Sequence, residues 1–189
     1  MRCILINPGP VSLSDAVRKA AVSSDLCHRE PEYFELQDEV RRSLLDIYDC
    51  DPERWAAVLL GGSGTTALEA MLSSLVPREA RLLIVENGVY GERISRMAAI
   101  HGLEHQKVTH GWTEAIDYDA LADVLAAGDF THLAAVHHET TTGRLNDARK
   151  LAELCEKHGV QLVLDTVSSF GAEDIPFDSP ALAACAATA

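Results

Sequence analysis

The sequence predicts an α/β fold, a mostly parallel sheet flanked by helices. Short apolar runs of strand length alternate with longer segments of helical period. The runs are apolar throughout rather than alternating, as strands covered on both faces must be. Glycines stand just past two of the helical segments, where a left-handed residue closes a helix. Runs 3–6, 56–60, 82–85, 133–136 and 160–164 are the expected strands, and segments 15–23, 33–48, 66–75, 90–101, 118–126 and 147–158 the expected helices, with Gly102 and Gly159 as stops. No repeat or Pro/Ser linker interrupts the series, so it reads as one domain.

With 189 residues, 47% hydrophobic and 24% charged, the chain has an ordinary globular balance and the length for one sizeable core. Its net charge of -13 argues against nucleic acid as a partner, because phosphate backbones are held by clustered Lys and Arg. Cys3, Cys27, Cys50, Cys155 and Cys185 show no CxxC spacing, and the chain opens into a short apolar run rather than a signal peptide. Reduced thiols in the cytoplasm are the expectation. No apolar run approaches the roughly 20 residues that a bilayer requires, so no membrane span is expected. Residues 180–189 are uncharged and carry no capping residue, which suits either an Ala-rich helix or a buried strand that stops before its end.

Four segments at expected strand ends carry chemistry. Gly61-Gly62-Ser63-Gly64-Thr65-Thr66 follows run 56–60 and opens a helix. Backbone N–H groups and hydroxyls at such a helix start favour an anion, although a tight turn alone also needs glycine. The segment is neither a Walker loop nor GxGxxG. Asp165 ends run 160–164, where the crevice beyond parallel strands receives ligands, and there it suits a ring N–H⁺, a metal or a ribose, or simply caps the next turn. Tyr90, between Gly88 and Gly91, has room to lie flat on a planar ligand, or merely packs; Arg93 is expected in a surface or interface ion pair. His137-His138-Glu139 invites a metal, but HExxH is missing and adjacent strand residues point to opposite faces, so no metal is expected. The Thr140 hydroxyl is the expected participant there, with His137 packed and His138 partly exposed.

Taken in order, Asn7-Pro8-Gly9-Pro10, Cys27-His28-Arg29-Glu30 through Phe34, GSGT at 62–65, NGVYG at 87–91, ETTTG at 139–143 and DTV at 165–167 resemble the class V aminotransferases, fold type I pyridoxal phosphate enzymes. The resemblance covers essentially the whole chain. It implies that residues 1–189 are an N-terminal segment plus most of the cofactor-binding large domain of that fold, without the small C-terminal domain. It also implies pyridoxal 5'-phosphate as cofactor, its phosphate on Ser63, Gly64 and Thr65. Tyr90 would stack on the ring, Val167 would pack beneath it, Thr140 would sit near its 3′ oxygen, and Asp165 would hold the ring nitrogen protonated. The segment from Cys27 to Phe34 would lie at the mouth of the site.

Within the family the motifs are most similar to the aminoethylphosphonate transaminase branch, which implies an amino donor and pyruvate as substrates and a homodimer. The alanine:glyoxylate and serine:pyruvate branches share most of the motifs, whereas cysteine desulfurases put a His where Tyr90 stands. The family's Schiff-base lysine follows the Asp by about one further strand-bearing segment, which falls just beyond Ala189. Lys19, Lys150 and Lys157 lie on expected helices and Lys107 lies away from the crevice, so the chain is expected to be a fragment, inactive alone.

Overall fold

The computed structural model describes residues 4, 5, 9, 11–23 and 25–188. Apart from residues 4, 5 and 9, the expected strand 3–6 and the Asn7-Pro8-Gly9-Pro10 motif lie outside them. The chain divides into two compact units, Met1–Leu59 and Leu60–Ala189.

In the first unit, α1 (Asp15–Ala20) starts on Ser14, whose hydroxyl accepts the Val17 N–H, and carries Asp15 in its first turn and Arg18 and Lys19 in its last, as the helix dipole favours. Helix α2 (Pro31–Asp46) opens on proline, whose missing N–H has no acceptor to lose there. Leu36, Val40, Leu44 and Ile47 recur at helical spacing and line a shallow groove on it. Cys27 to Phe34 forms an exposed turn running into this helix. The expected strand 56–60 is corrected: the segment is extended, but no described strand pairs with it, and Val58 is 77% exposed. An apolar run becomes a strand only where a neighbour takes its N–H and C=O groups.

The second unit runs α3 (Gly64–Leu75), β1 (Leu82–Glu86), α4 (Val89–Ile100), β2 (His105–Thr109), α5 (Tyr118–Ala127), β3 (His132–Val136), β4 (His138–Glu139), β5 (Arg144–Leu145), α6 (Ala148–His158), β6 (Gln161–Asp165) and β7 (Leu182–Ala186). The main sheet has the order β2-β1-β3-β6-β7, every pair parallel, while β4 and β5 form a short antiparallel hairpin. This is the mostly parallel sheet flanked by helices that the apolar runs predict. The chain leaves β1 for β2 on one side and returns past it to β3 on the other. Strand order therefore reverses between β1 and β3, the place where open sheets hold ligands.

Alternate strand residues serve the two faces. Leu82 and Ile84 of β1, Ala134 and Val136 of β3, and Val163 of β6 form one core with Leu68, Met71 and Leu72 of α3 and Ile94, Met97 and Ala98 of α4. The intervening Leu83, Val85, Leu133, Ala135, Leu162 and Leu164 are equally buried, with α6 packed on β6 and α5 on α6. Gly102 and Gly159 both adopt left-handed conformations past the ends of α4 and α6, in agreement with their reading as stops. Strand β2 was not expected: His-Gln-Lys-Val-Thr is polar because it is an edge strand. Residues 182–186 become a strand rather than a helix because the outer edge of β6 offers a parallel partner.

Leu164 is fully buried in the interior strand β6. Leu164→Ala is expected to cost about 2–5 kcal/mol in urea unfolding; a loss below about 1 kcal/mol would show that β6 is not the packed centre of the unit.

Candidate active site

Helix α4 begins without a cap of its own, because the residue at its N-cap is Gly88. The first N–H groups of a helix need acceptors from outside it. They find one in Glu139, whose Oε2 accepts the N–H of Tyr90 at 3.0 Å and of Gly91 at 3.4 Å. Its Oε1 accepts the Thr141 hydroxyl at 2.6 Å and the Thr141 N–H at 3.4 Å. Glu139 is fully buried, a position that a carboxylate holds only with such a set of donors. Gly88 makes the approach possible, since a Cβ there would lie 2.3 Å from Cγ and Cδ of Glu139. Beside it, Asn87 Nδ2 donates to Asn146 Oδ1 and Asn146 Nδ2 to the Val136 carbonyl, each at 2.8 Å. The loops after β1 and β3 are thus fastened together at the switch point.

The Gly62-Ser63-Gly64-Thr65 turn forms the start of α3. Ser63 and Thr66 cap it reciprocally, the Ser63 hydroxyl accepting the Thr66 N–H and the Thr66 hydroxyl accepting the Ser63 N–H. The N–H groups of Gly64 and Thr65, in the first turn, have no acceptor within the helix. A Cβ on Gly64 would lie 2.8 Å from both methyls of Val167, so this turn rests on the loop that follows β6. Thr65 Oγ1 accepts Arg93 Nη1 at 3.2 Å, and the Arg93 guanidinium lies 4.6 Å from the centroid of the half-buried Tyr90 ring. Within this chain, among the described residues, the partners of Arg93 are a hydroxyl and an aromatic face rather than the carboxylate of a surface ion pair, because α4 turns it toward α3.

Asp165 sits at the carboxyl end of β6, 5% exposed, with Oδ1 accepting the Val167 N–H at 3.0 Å. Burial pushes its carboxyl above the ordinary range, and the nearby Glu139 adds to that; the Val167 N–H and the Arg93 charge pull the other way. Thr140 is half-buried in the turn after β4 rather than on a strand end. His137 is packed, with Nδ1 2.9 Å from Ser169 Oγ and a pKa lowered by burial, while the partly exposed His138 has Nδ1 3.1 Å from Ser168 Oγ.

Residues 17–183 match the family model described as aminotransferase class-V. The chain belongs to the class V aminotransferases. It is 34% identical over 177 residues to the 2-aminoethylphosphonate–pyruvate transaminase of Phocaeicola vulgatus, spanning 93% of this chain and 48% of that protein. Its fold superposes with a TM-score of 0.85 on the alanine–glyoxylate aminotransferase of a Nostoc species, at 30% identity over 95% of this chain and 47% of that one. The pyridoxamine–pyruvate aminotransferase of Mesorhizobium loti gives 0.87 at 28% identity, over 95% and 45%. The chain therefore spans about half the length of the curated relatives it matches. The cofactor of this class V aminotransferase is pyridoxal phosphate.

None of the four lysines ends a strand beside Asp165. Lys107 lies within the edge strand β2 with Nζ 3.2 Å from Glu86 Oε1, Lys150 lies over the Tyr118 ring, and Lys19 and Lys157 lie in α1 and α6. Burial by itself would raise the Glu86 carboxyl, but its hydrogen bonds, those from Lys107 and Thr109 among them, bring it below the ordinary range. Glu139 is among the residues that sequence reasoning under-read in this class V chain. The signal was present: a helix that opens on glycine without a side-chain cap must borrow an acceptor, and ETTTG supplies one at a strand end.

Two consequences are measurable. Gly88→Ala drives a methyl into a fully buried carboxylate and is expected to cost about 1–3 kcal/mol or more in urea unfolding, against near neutrality if the helix start is loose. Asp165 binds its proton more tightly folded than unfolded, so its contribution is fully present below the ordinary value of 3.8 and is lost as pH rises through the raised folded value. Asp165→Asn keeps an acceptor for the Val167 N–H and removes the buried charge. Its urea midpoint at pH 7 is expected to exceed that of the parent chain, with the gap closing in acid; a lower midpoint at pH 7 would contradict the assignment.

Proposed function

We propose that this chain is the cofactor-binding half of a transaminase that moves an amino group from 2-aminoethylphosphonate to pyruvate, giving phosphonoacetaldehyde and alanine. The observation that carries the reading is the meeting of three unlike groups at one corner. The α3 start rests on Val167, two residues beyond the buried Asp165, and Arg93 ties Thr65 to Tyr90. A helix start suits a phosphate, an aromatic face suits a planar ring, and a buried carboxylate with a raised pKa suits a cationic ring N–H. Those are the three chemical parts of pyridoxal phosphate, and the residues fit it.

In this reading Ser63, Gly64 and Thr65 hold the phosphate, Tyr90 and Val167 fix the ring plane, and Thr140 donates to the ring oxygen. Asp165 keeps a proton on the ring nitrogen, and its own carboxyl falls back toward the ordinary range once that charge is beside it. When bound, the cofactor supplies the electron sink that lets the amino-bearing carbon of the donor lose a proton. The chain's own part is to hold and orient, so that the reacting carbon stays fixed. The lysine that takes and returns that proton is assigned to sequence beyond residue 189, and with it the small domain and its substrate-binding arginine. The reading extends to a homodimer in the cytoplasm.

The choice of donor is supported by the names of the similar proteins, among them the Phocaeicola vulgatus and Vibrio cholerae transaminases, the latter 37% identical over 181 residues. The Nostoc structure, at 30% identity, favours alanine and glyoxylate as the second reading.

Equilibrium dialysis of this chain against pyridoxal phosphate is expected to show saturable binding, weakened at least about tenfold by Asp165→Ala; absence of binding would contradict the reading. In the full-length protein, alanine formation from 2-aminoethylphosphonate and pyruvate is expected to exceed glycine formation from alanine and glyoxylate, and the reverse order would assign the second reading.

A further inference from the structure

Arg93 is given no role in the cofactor site by the family resemblance, yet it joins two of the segments that carry that resemblance. It leaves the second turn of α4, the helix whose start Glu139 holds by the N–H groups of Tyr90 and Gly91. From there one nitrogen donates to Thr65 Oγ1 at 3.2 Å, and the guanidinium carbon lies 4.6 Å from the Tyr90 ring centroid. A planar cation over an aromatic face both attracts the ring and occupies that face. Any planar ligand of Tyr90 must then take the opposite face. A hydroxyl that accepts from Arg93 also has its hydrogen free to turn toward an anion at the start of α3. The same positive charge reaches Asp165, where it favours the ionised form.

We infer that Arg93 is a positioning residue of the cofactor site: it fixes the Tyr90 ring plane and the Thr65 hydroxyl as one rigid corner, so that ring stacking and phosphate binding are coupled through a single side chain. The inference rests on the pyridoxal phosphate reading of the site. Coupling is its distinctive consequence. A ligand that spans both ends of the corner feels both of Arg93's contacts, whereas a ligand with the ring alone feels only the one through Tyr90.

The test compares the dissociation constants of pyridoxal phosphate and of pyridoxal, by equilibrium dialysis, for the parent chain, Arg93→Gln and Arg93→Lys, with far-UV circular dichroism of each. Arg93→Gln is expected to weaken pyridoxal phosphate by roughly ten- to a hundredfold and pyridoxal by clearly less, so that the dissociation constant of pyridoxal phosphate rises relative to that of pyridoxal. Arg93→Lys retains the charge and a donor for Thr65 but not the flat stack. It is expected to weaken both ligands by a similar factor, leaving the ratio of the two constants near the parent value. Because lysine is the milder change, it carries the test if the glutamine variant does not fold. Equal affinities in parent and variants, or loss of both ligands in the same proportion in Arg93→Gln, would overturn the inference and leave the cofactor reading intact. A parent chain that binds neither ligand would overturn both.

Discussion

The carboxylate of Glu139 at the start of α4 is the interaction on which the rest of the site depends. It is a carboxylate without solvent, its oxygens accepting from two backbone N–H groups of the helix and from the N–H and hydroxyl of Thr141. Through these bonds it fixes the backbone of Tyr90 and the turn that carries Thr140 in one geometry. Breaking one side of such an arrangement leaves a buried carboxylate short of donors, which is far costlier than losing an exposed bond. Gly88 is the sequence's concession to it, since any side chain there would collide with the carboxylate.

Topology explains why this anchor stands where a ligand would. The reversal of strand order between β1 and β3 parts the two loops that follow them, and in an open parallel sheet such a gap is a crevice. Glu139 and the Asn87–Asn146 pair bridge that gap, while Asp165 ends the neighbouring β6 and Val167 lies in the loop that follows it. The GSGT turn reaches the same place by its contact with Val167, and Arg93 closes the ring of contacts by reaching back to Thr65. The buried Asp165 runs against stability, a carboxyl at the end of an interior strand whose burial raises its pKa. Departures of that kind from a well-packed core mark functional positions more often than structural ones.

Much of this was legible in the residues. The central strands are apolar on both faces, so their runs stood out, and Gly159 and Gly102 announced the ends of their helices because only glycine takes a left-handed turn without strain. Ser63, Tyr90 and Asp165 were legible as candidates because each ends or follows an apolar run. Run 56–60 misled because apolarity reports burial potential and not a hydrogen-bonding partner. Strand β2 was hidden by the opposite effect, an edge strand being free to be polar. Glu139 and Arg93 were under-read because their partners lie 49 and 28 residues away in sequence, and contacts of that range have no local periodicity to betray them.

The central claim is that Asp165 completes a corner built to hold a protonated aromatic nitrogen. The most direct measurement is the ¹⁵N chemical shift of ring-labelled pyridoxal phosphate bound to the chain, recorded above the pH at which the free cofactor loses that proton. The account predicts a pyridinium shift in the parent chain and a neutral pyridine shift in Asp165→Asn. A neutral ring nitrogen in the parent chain, or the same shift in both, would contradict it.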